Sequence, residues 1–236
     1  MVLLIKPSFG TRQEQFCPRR IRSFFAQSQA VESVMLPRVR PMRLRLVKEP
    51  FNDPEYIFEL KHDGFRALAY IERGECKLVS RNLKHLRFEA LEKALATLPV
   101  QNAIIDGAIV CIDANGVSQF NQLLSSKAEP ILYAFDLLWL GGKDLRQLPL
   151  IARKSRLAAL IRVSDCKRVM YAQHVEGDGK RLFEEVCSRD LEGIVAKRKL
   201  GIYKDDGLGW LKIKNRKYSQ AEGRDELLTR RRAQSK

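Results

Sequence analysis

A lysine beside a tight turn is the first candidate for chemistry in this chain of 236 residues. Lys61 ends the alternating stretch Tyr56–Lys61 and is followed by the turn dipeptide Asp63-Gly64. A second alternating stretch begins at Arg66, so the pattern predicts a hairpin that returns Arg66 close to Lys61, with Gly64 at positive φ. Such a lysine is a candidate nucleophile or phosphate contact, and an exposed hairpin with ordinary surface charges is the alternative.

The string Lys61-x-Asp63-Gly64-x-Arg66 resembles the KxDGxR signature of the covalent nucleotidyltransferases: ATP-dependent DNA ligases, RNA ligases and mRNA-capping guanylyltransferases. Further motifs of that superfamily follow in its order: Ser80-Arg81-Asn82, Asp106-Gly107, Phe135-Asp136-Leu137-Leu138, Glu192-Gly193-Ile194-Val195-Ala196-Lys197 and Trp210-Leu211-Lys212-Ile213-Lys214. Over residues 40–222 these motifs are most similar to bacterial ATP-dependent DNA ligases of the end-joining type.

The resemblance implies a reaction and a role for each matching side chain. Lys61 attacks the α-phosphate of ATP to form lysyl-AMP, AMP passes to the 5′-phosphate of nicked DNA, and the nick is sealed in repair or recombination. The implied contacts are Glu59 with adenine, Arg66 and Arg81 with ribose and phosphates, Phe135 with the purine face, Glu192 with Mg²⁺ (or Mn²⁺), and Lys212 and Lys214 with the triphosphate. By spacing alone, Phe135 is more typical of a core strand.

The first step requires a neutral amine at Lys61. An ordinary lysine, with a pKa of about 10.4, is neutral in only about one molecule in 2,500 at pH 7. Burial and nearby positive charge lower that pKa. Lys212 and Lys214 alternate with apolar residues, so they project from one strand face and supply such charge. Glu59, on the same face as Lys61, opposes the shift unless it turns away.

Two departures from the family pattern stand out. Asp106-Gly107 is followed by Ala108, where a glutamate usually contacts the ribose. Only 22 residues follow Lys214, too few for the usual oligonucleotide-binding domain, so a repair protein or a separate domain is an expected partner. The alternatives are an RNA ligase or capping-type enzyme, and an impaired module that binds nucleotide or DNA.

The positive charge of the chain is concentrated at its two ends. Of the net +15, residues 1–48 carry +8 and residues 212–236 carry +6. Basic ends on a nearly neutral body predict contact with a DNA phosphate backbone without base recognition; solubility or non-specific adhesion is the alternative.

The predicted fold class is α+β, because strands outnumber helices and are joined by hairpins as well as helices. The resemblance implies an ATP-grasp-like nucleotidyltransferase fold, two antiparallel sheets flanked by helices with a nucleotide cleft between them. Beyond the hairpin, strands are expected over Cys76–Ser80, Asn102–Ile112 (interrupted at Asp106-Gly107), Ile131–Leu140, Val169–Val175, Gly193–Lys197 and Trp210–Lys214, and helices over Arg87–Leu98, Phe120–Leu124, Ile151–Ile161 and Gly179–Arg189.

The domain prediction is a basic, irregular extension over residues 1–40, an adenylation domain over 41–218 and a basic tail over 219–236. Met35 and Met42 are each possible biological starts. Five cysteines without a CxxC pair predict reduced thiols in the bacterial cytosol and no zinc site. No apolar run approaches the length of a membrane span, so no membrane contact is expected.

Overall fold

The computed structural model describes residues 35–114, 116–124, 129–204 and 209–221. The strands are β1 (Leu44–Leu46), β2 (Asp53–Leu60), β3 (Phe65–Glu72), β4 (Glu75–Ser80), β5 (Asn102–Val110), β6 (Ile131–Leu140), β7 (Lys143–Asp144), β8 (Val169–Tyr171), β9 (His174–Gly177), β10 (Gly193–Arg198) and β11 (Trp210–Lys214). The helices are α1 (Glu89–Leu95), α2 (Phe120–Leu123), α3 (Leu150–Arg162) and α4 (Gly179–Ser188), and a 3₁₀ turn covers Ser219–Ala221.

The strands form two sheets, which confirms the α+β class. One sheet has the order β1-β11-β10-β2-β9, and the other has the order β4-β3-β5-β6-β7, with β8 also paired to β6. The prediction of two antiparallel sheets is wrong in one respect: each sheet contains a parallel pair. β1 runs parallel to β11, and β8 runs parallel to β6.

The predicted hairpin around Lys61 is wrong. β2 pairs with β10 and β9, whereas β3 pairs with β4 and β5, so the segment between them carries the chain from one sheet to the other. Gly64 is not among the glycines with positive φ. A Cβ atom at Gly64 would lie 2.1 Å from the carbonyl oxygen of Ile109, so glycine is required here for close backbone packing.

Other element boundaries also differ from the predictions. The strand expected over Val169–Val175 is two strands in different sheets, β8 and β9. β5 runs without a break through Asp106-Gly107, because the irregularity there lies in its pairing with β6. α1 is shorter than predicted at both ends, while β6 and β11 have the predicted bounds.

Three apolar clusters hold the layers together. Leu91 of α1 and Leu157 of α3 are buried against the outer face of the six-stranded sheet. Val186 of α4 is buried against the outer face of the five-stranded sheet. The third cluster lies between the sheets; its buried members are Val39, Met42, Leu68, Ile104, Leu138, Trp139, Tyr203 and Trp210. The cleft between the sheets is therefore closed at one end by apolar packing.

The segment from Leu36 to Met42 contributes to that packing. Val39 and Met42 are each 2% exposed, and Leu36 packs against the same cluster. A chain starting at Met42 would lose Val39 and Leu36 from the core. Residues 1–34 and 222–236, which hold most of the predicted extension and tail, lie outside the described residues. None of the described helices has the length and apolar character required to cross a membrane.

Candidate active site

The predicted nucleophile lies where the chain crosses between the two sheets. Lys61 directly follows β2, and its backbone N–H donates to the carbonyl of Gly193 at 2.9 Å. Its Nζ lies 2.5 Å from Oε1 of Glu192; the Lys61 side chain is 22% exposed and that of Glu192 is 8% exposed. Because β2 and β10 are antiparallel neighbours, the residue after one strand meets the residue before the other. The structure thus brings the predicted nucleophile and the predicted metal ligand together.

A group of basic side chains surrounds this ion pair. Lys212 and Lys214 alternate with the buried residues Leu211 and Ile213 along β11, which confirms that the two lysines share one face. Burial lowers the pKa of Lys212, and nearby positive charges lower it further; they belong to Lys214, Lys61 and Arg81. These side chains are close enough to influence one another electrostatically, and together they create a positive potential that suits a ligand carrying phosphates.

Arg66 is fixed by other protein groups. Its Nε and Nη2 donate to the two carboxylate oxygens of Asp106 at 3.1 and 2.7 Å, and its Nη1 donates to the carbonyl of Met42. Burial disfavours the charged guanidinium, but the Asp106 carboxylate outweighs that effect and raises the pKa of Arg66. The Tyr203 hydroxyl donates to the same carboxylate at 2.7 Å. Any nucleotide contact of Arg66 is therefore made from a fixed position.

A β-bulge sets the position of Phe135. Gly107 pairs with Ala134 and Asp106 with Asp136, which leaves Phe135 as the extra residue on β6. Its half-buried ring packs edge to face on Trp210, with ring centres 5.6 Å apart. The cleft cluster, not an outer core, is therefore the environment of Phe135.

Glu59 turns away from Lys61. Its carboxylate, 3% exposed, lies 2.5 Å from Nζ of Lys154 and 2.6 Å from Nζ of Lys197. Burial raises the pKa of Glu59, but the two lysines outweigh it and the net pKa is lowered. Nζ of Lys197 also lies 4.1 and 4.0 Å from the ring centres of Phe135 and Trp210. Both oxygens of the predicted adenine contact are thus already engaged by protein cations.

Ala108 lies in the cleft and not in an apolar core. It is partly exposed, and it pairs with Arg66 on one side and with Tyr133 on the other. The ring of Tyr133 stacks on that of His62 with centres 3.9 Å apart and an interplanar angle of 16°. Burial lowers the pKa of His62 to about 4, so this ring is neutral at pH 7. The small side chain at position 108 therefore lies next to an aromatic stack that adjoins Lys61.

Several residues that shape the cleft lie outside the sequence motifs described above. Lys154 and Arg153 are fully buried on α3, at positions where an amphipathic helix ordinarily places apolar side chains. Arg153 forms a bidentate ion pair with Asp136 at 2.7 and 2.8 Å. The sequence signal that could have identified them is a pair of consecutive basic residues, Arg153 and Lys154, in the core-facing part of a predicted helix. Tyr203 and Tyr218 carried no comparable signal.

The residues around Lys61 fit a divalent cation only in part. Within the described residues no group of three or more His, Cys, Asp and Glu side chains is arranged to hold a metal ion. Glu192 offers a hard oxygen of the kind Mg²⁺ prefers, and Mg²⁺ commonly takes its other ligands from water and substrate phosphates. A cation at Glu192 thus requires a phosphate-bearing ligand beside it.

Two sheets around a cleft, with a lysine–carboxylate pair and a set of cations between them, define an adenylation domain of the nucleotidyltransferase class. The sequence pattern of the family described as "ATP dependent DNA ligase domain" matches residues 42–214. The chain belongs to this family.

Curated relatives and solved structures agree with that assignment. The chain is 34% identical over 184 residues to the multifunctional non-homologous end joining protein LigD of Pseudomonas aeruginosa, covering 75% of this chain and 22% of that protein. It is 30% identical over 190 residues to the SPbeta prophage-derived DNA ligase-like protein LigB of Bacillus subtilis, covering 77% of this chain and 69% of that protein. The structure of mycobacterial DNA ligase D complexed with ATP and MES superposes with a TM-score of 0.68 at 25% identity, covering 75% of this chain and 60% of that one.

The chain thus spans about a fifth of the length of LigD and just over two thirds of LigB. The similarity concerns the adenylation domain, and it confirms the predicted likeness to end-joining ligases.

Proposed function

We propose that this protein is an ATP-dependent DNA ligase or ligase-like adenylyltransferase in which Lys61 is the nucleophile. The observation that carries the proposal is the Lys61–Glu192 pair at 2.5 Å, beside the cations of β11. Lysine is a suitable covalent nucleophile once its amine is neutral. The amine nitrogen forms a bond to the α-phosphorus of ATP, the bond to the bridging oxygen breaks, and pyrophosphate leaves.

Each residue near the pair has a distinct part in this step. The Glu192 oxygen lies 2.5 Å from Nζ of Lys61, so it can accept the proton that the amine loses as the nitrogen–phosphorus bond forms. Mg²⁺ bound to Glu192 would neutralise the carboxylate and the phosphate charge. Lys212, Lys214 and Arg81 stabilise the negative charge that develops on the leaving pyrophosphate. Phe135 offers an aromatic face for a base, although Lys197 already lies over that ring.

The test is label transfer from α-labelled ATP, followed on a denaturing gel in the presence and absence of Mg²⁺. We expect a labelled band that Lys61→Ala abolishes. Lys199→Ala is the matched control, because Lys199 is also ion-paired, at 3.0 Å to Glu176, but lies on the surface. A band of normal intensity from Lys61→Ala would exclude Lys61 as nucleophile. Stronger labelling from α-labelled GTP would favour the capping-type alternative.

DNA is the proposed acceptor of AMP. The charge at the two ends of the sequence supports backbone binding, since phosphate neutralisation releases counterions. Removing residues 1–34 and 223–236 should weaken binding to nicked duplex and flatten its salt dependence, while self-adenylation changes little. An unchanged salt dependence would place the contacts elsewhere. For the sealing step we propose a partner, which is either a repair protein or a separate oligonucleotide-binding domain.

A second candidate function follows from Ala108. Without a carboxylate at this position, the cleft has lost one acceptor beside Arg66 and Tyr133. A module that binds nucleotide or DNA but does not adenylate itself would bind ATP and give no labelled band.

We also propose a cytoplasmic site of action, which the free thiols of Cys76, Cys111, Cys166 and Cys187 support.

A further inference from the structure

The segment after β11 folds back over both parts of the chain that present the lysine–carboxylate pair. We call residues 215–221 the clasp. Two of its residues are buried, Asn215 at 8% exposed and Tyr218 at 6% exposed. Asn215 and Ser219 contact the turn that carries Glu192, and Tyr218 between them contacts the crossing loop that carries Lys61. No part of the reaction proposed above uses these residues.

The first set of contacts fixes the turn before β10. The backbone N–H of Asn215 donates to the carbonyl of Glu192 at 3.0 Å, and its side-chain amide donates to the carbonyl of Leu191 at 3.1 Å. The backbone N–H of Ser219 donates to Oδ1 of Asp190 at 2.9 Å, and its hydroxyl donates to Oδ2. Asp190 has a φ of 49°, a conformation that needs support in a residue other than glycine. The clasp therefore holds three consecutive residues, up to and including Glu192.

The second contact fixes the crossing loop after β2. The Tyr218 hydroxyl donates to Oδ2 of Asp63 at 3.0 Å, and Asp63 is only 3% exposed. Asp63 lies two residues after Lys61, whose own backbone N–H is bonded to Gly193. The loop is thus held near both ends, at Lys61 by β10 and at Asp63 by the clasp. Gly64 adds a close packing contact with the carbonyl of Ile109.

We infer that Tyr218 is a positioning residue for the adenylation of Lys61, acting through Asp63. This inference rests on the proposed function. With the Tyr218 hydroxyl on the loop and with Asn215 and Ser219 on the turn, one short segment sets the distance between the nucleophile and its carboxylate. Covalent attack depends steeply on such geometry, since a displacement of about 1 Å can lower a rate by about 100-fold. Because the Tyr218 hydroxyl bonds to the loop of the nucleophile, we expect its removal to lower the rate and to leave ATP affinity unchanged.

The test variant is Tyr218→Phe, which keeps the buried ring and removes only the hydroxyl. We expect the maximal rate of lysyl-AMP formation to fall about tenfold or more, with the KM for ATP changed less than twofold. The matched control is Tyr56→Phe, which removes a buried tyrosine hydroxyl that accepts from Arg198 at 3.0 Å, away from the cleft. It should leave the rate unchanged. Asp63→Asn, alone and combined with Tyr218→Phe, should show strongly non-additive losses because both act through one hydrogen bond.

Hydrogen exchange provides a readout independent of catalysis. Tyr218→Phe should accelerate exchange at the amides of residues 61–64 and leave β5 and β6 unaffected. The inference would be overturned if Tyr218→Phe formed lysyl-AMP at the normal maximal rate, or if the variant changed mainly the KM for ATP. Unchanged amide exchange at residues 61–64 would overturn it as well. If the wild-type protein gives no labelled band, the proposed function fails, and the exchange measurement still decides whether Tyr218 holds the loop.

Discussion

Glu59 balances two buried lysines, and its replacement by glutamine gives the sharpest test of how the cleft is stabilised. The carboxylate is 2.5 and 2.6 Å from the ammonium groups of Lys154 and Lys197, and all three side chains are at most 3% exposed. The cluster carries a net charge of +1. Glu59→Gln raises that charge to +2, whereas Lys197→Met lowers it to zero.

The expected cost of Glu59→Gln is about 3–5 kcal/mol, the usual cost of removing one partner from a buried ion pair. For a domain of this size that corresponds to a lower melting temperature by roughly 6–20 °C. Lys197→Met should cost clearly less, since the remaining pair of Glu59 and Lys154 is balanced and methionine fills similar space. Glu176→Gln removes a carboxylate from a surface ion pair and should change stability by less than about 1 kcal/mol.

The pH dependence of the unfolding free energy provides a second test of the same prediction. Burial lowers the pKa of Lys197 to about 8, below the value of about 10.5 for an exposed lysine. Between these pH values the unfolded chain binds more protons than the folded one, so the contribution of Lys197 to stability rises with pH. The Glu59 carboxylate raises the pKa of Lys197, so without it the folded-state pKa of Lys197 falls further. The pH range over which stability rises then begins at a lower pH in Glu59→Gln than in wild type. In urea unfolding, the gap between Glu59→Gln and wild type should therefore narrow from pH 7 to pH 9.5. An unchanged gap, or an equal cost for Lys197→Met at pH 7, would refute the electrostatic explanation.

Two further substitutions, with Gly74→Ala as a control for the first, test the cleft geometry. Gly64→Ala should strongly destabilise the fold, because its Cβ would lie 2.1 Å from a backbone oxygen, whereas Gly74→Ala, with φ of 79° and open space, should cost only about 1 kcal/mol in the same urea titration. Ala108→Glu should fold normally at its partly exposed site and accelerate lysyl-AMP formation about 10- to 150-fold, the worth of one hydrogen bond to a charged group. A well-folded Ala108→Glu protein without any gain would mean that another residue already makes the ribose contact or that the cleft does not serve ATP.

Much of this molecule follows from local sequence patterns. The bounds of β6 and β11 were predicted to the residue, since a long apolar run and a strict alternation are both local signals. The shared face of Lys212 and Lys214 follows from the period of a strand alone. The proposed chemistry of the site also rests on the sequence, because the order and types of Lys61, Arg81 and Glu192 match one family of enzymes.

Only the tertiary structure decided which of these residues meet. The turn at Asp63-Gly64 has the local signature of a hairpin, yet β2 and β3 pair with other strands and the turn joins two sheets. Glu59 and Lys61 share a strand period, yet Glu59 turns to lysines 95 and 138 residues away. Tyr218 reaches Asp63 across 155 residues. Strand periodicity fixes which side chains share a face, whereas strand pairing and burial between distant segments determine which charge each one meets.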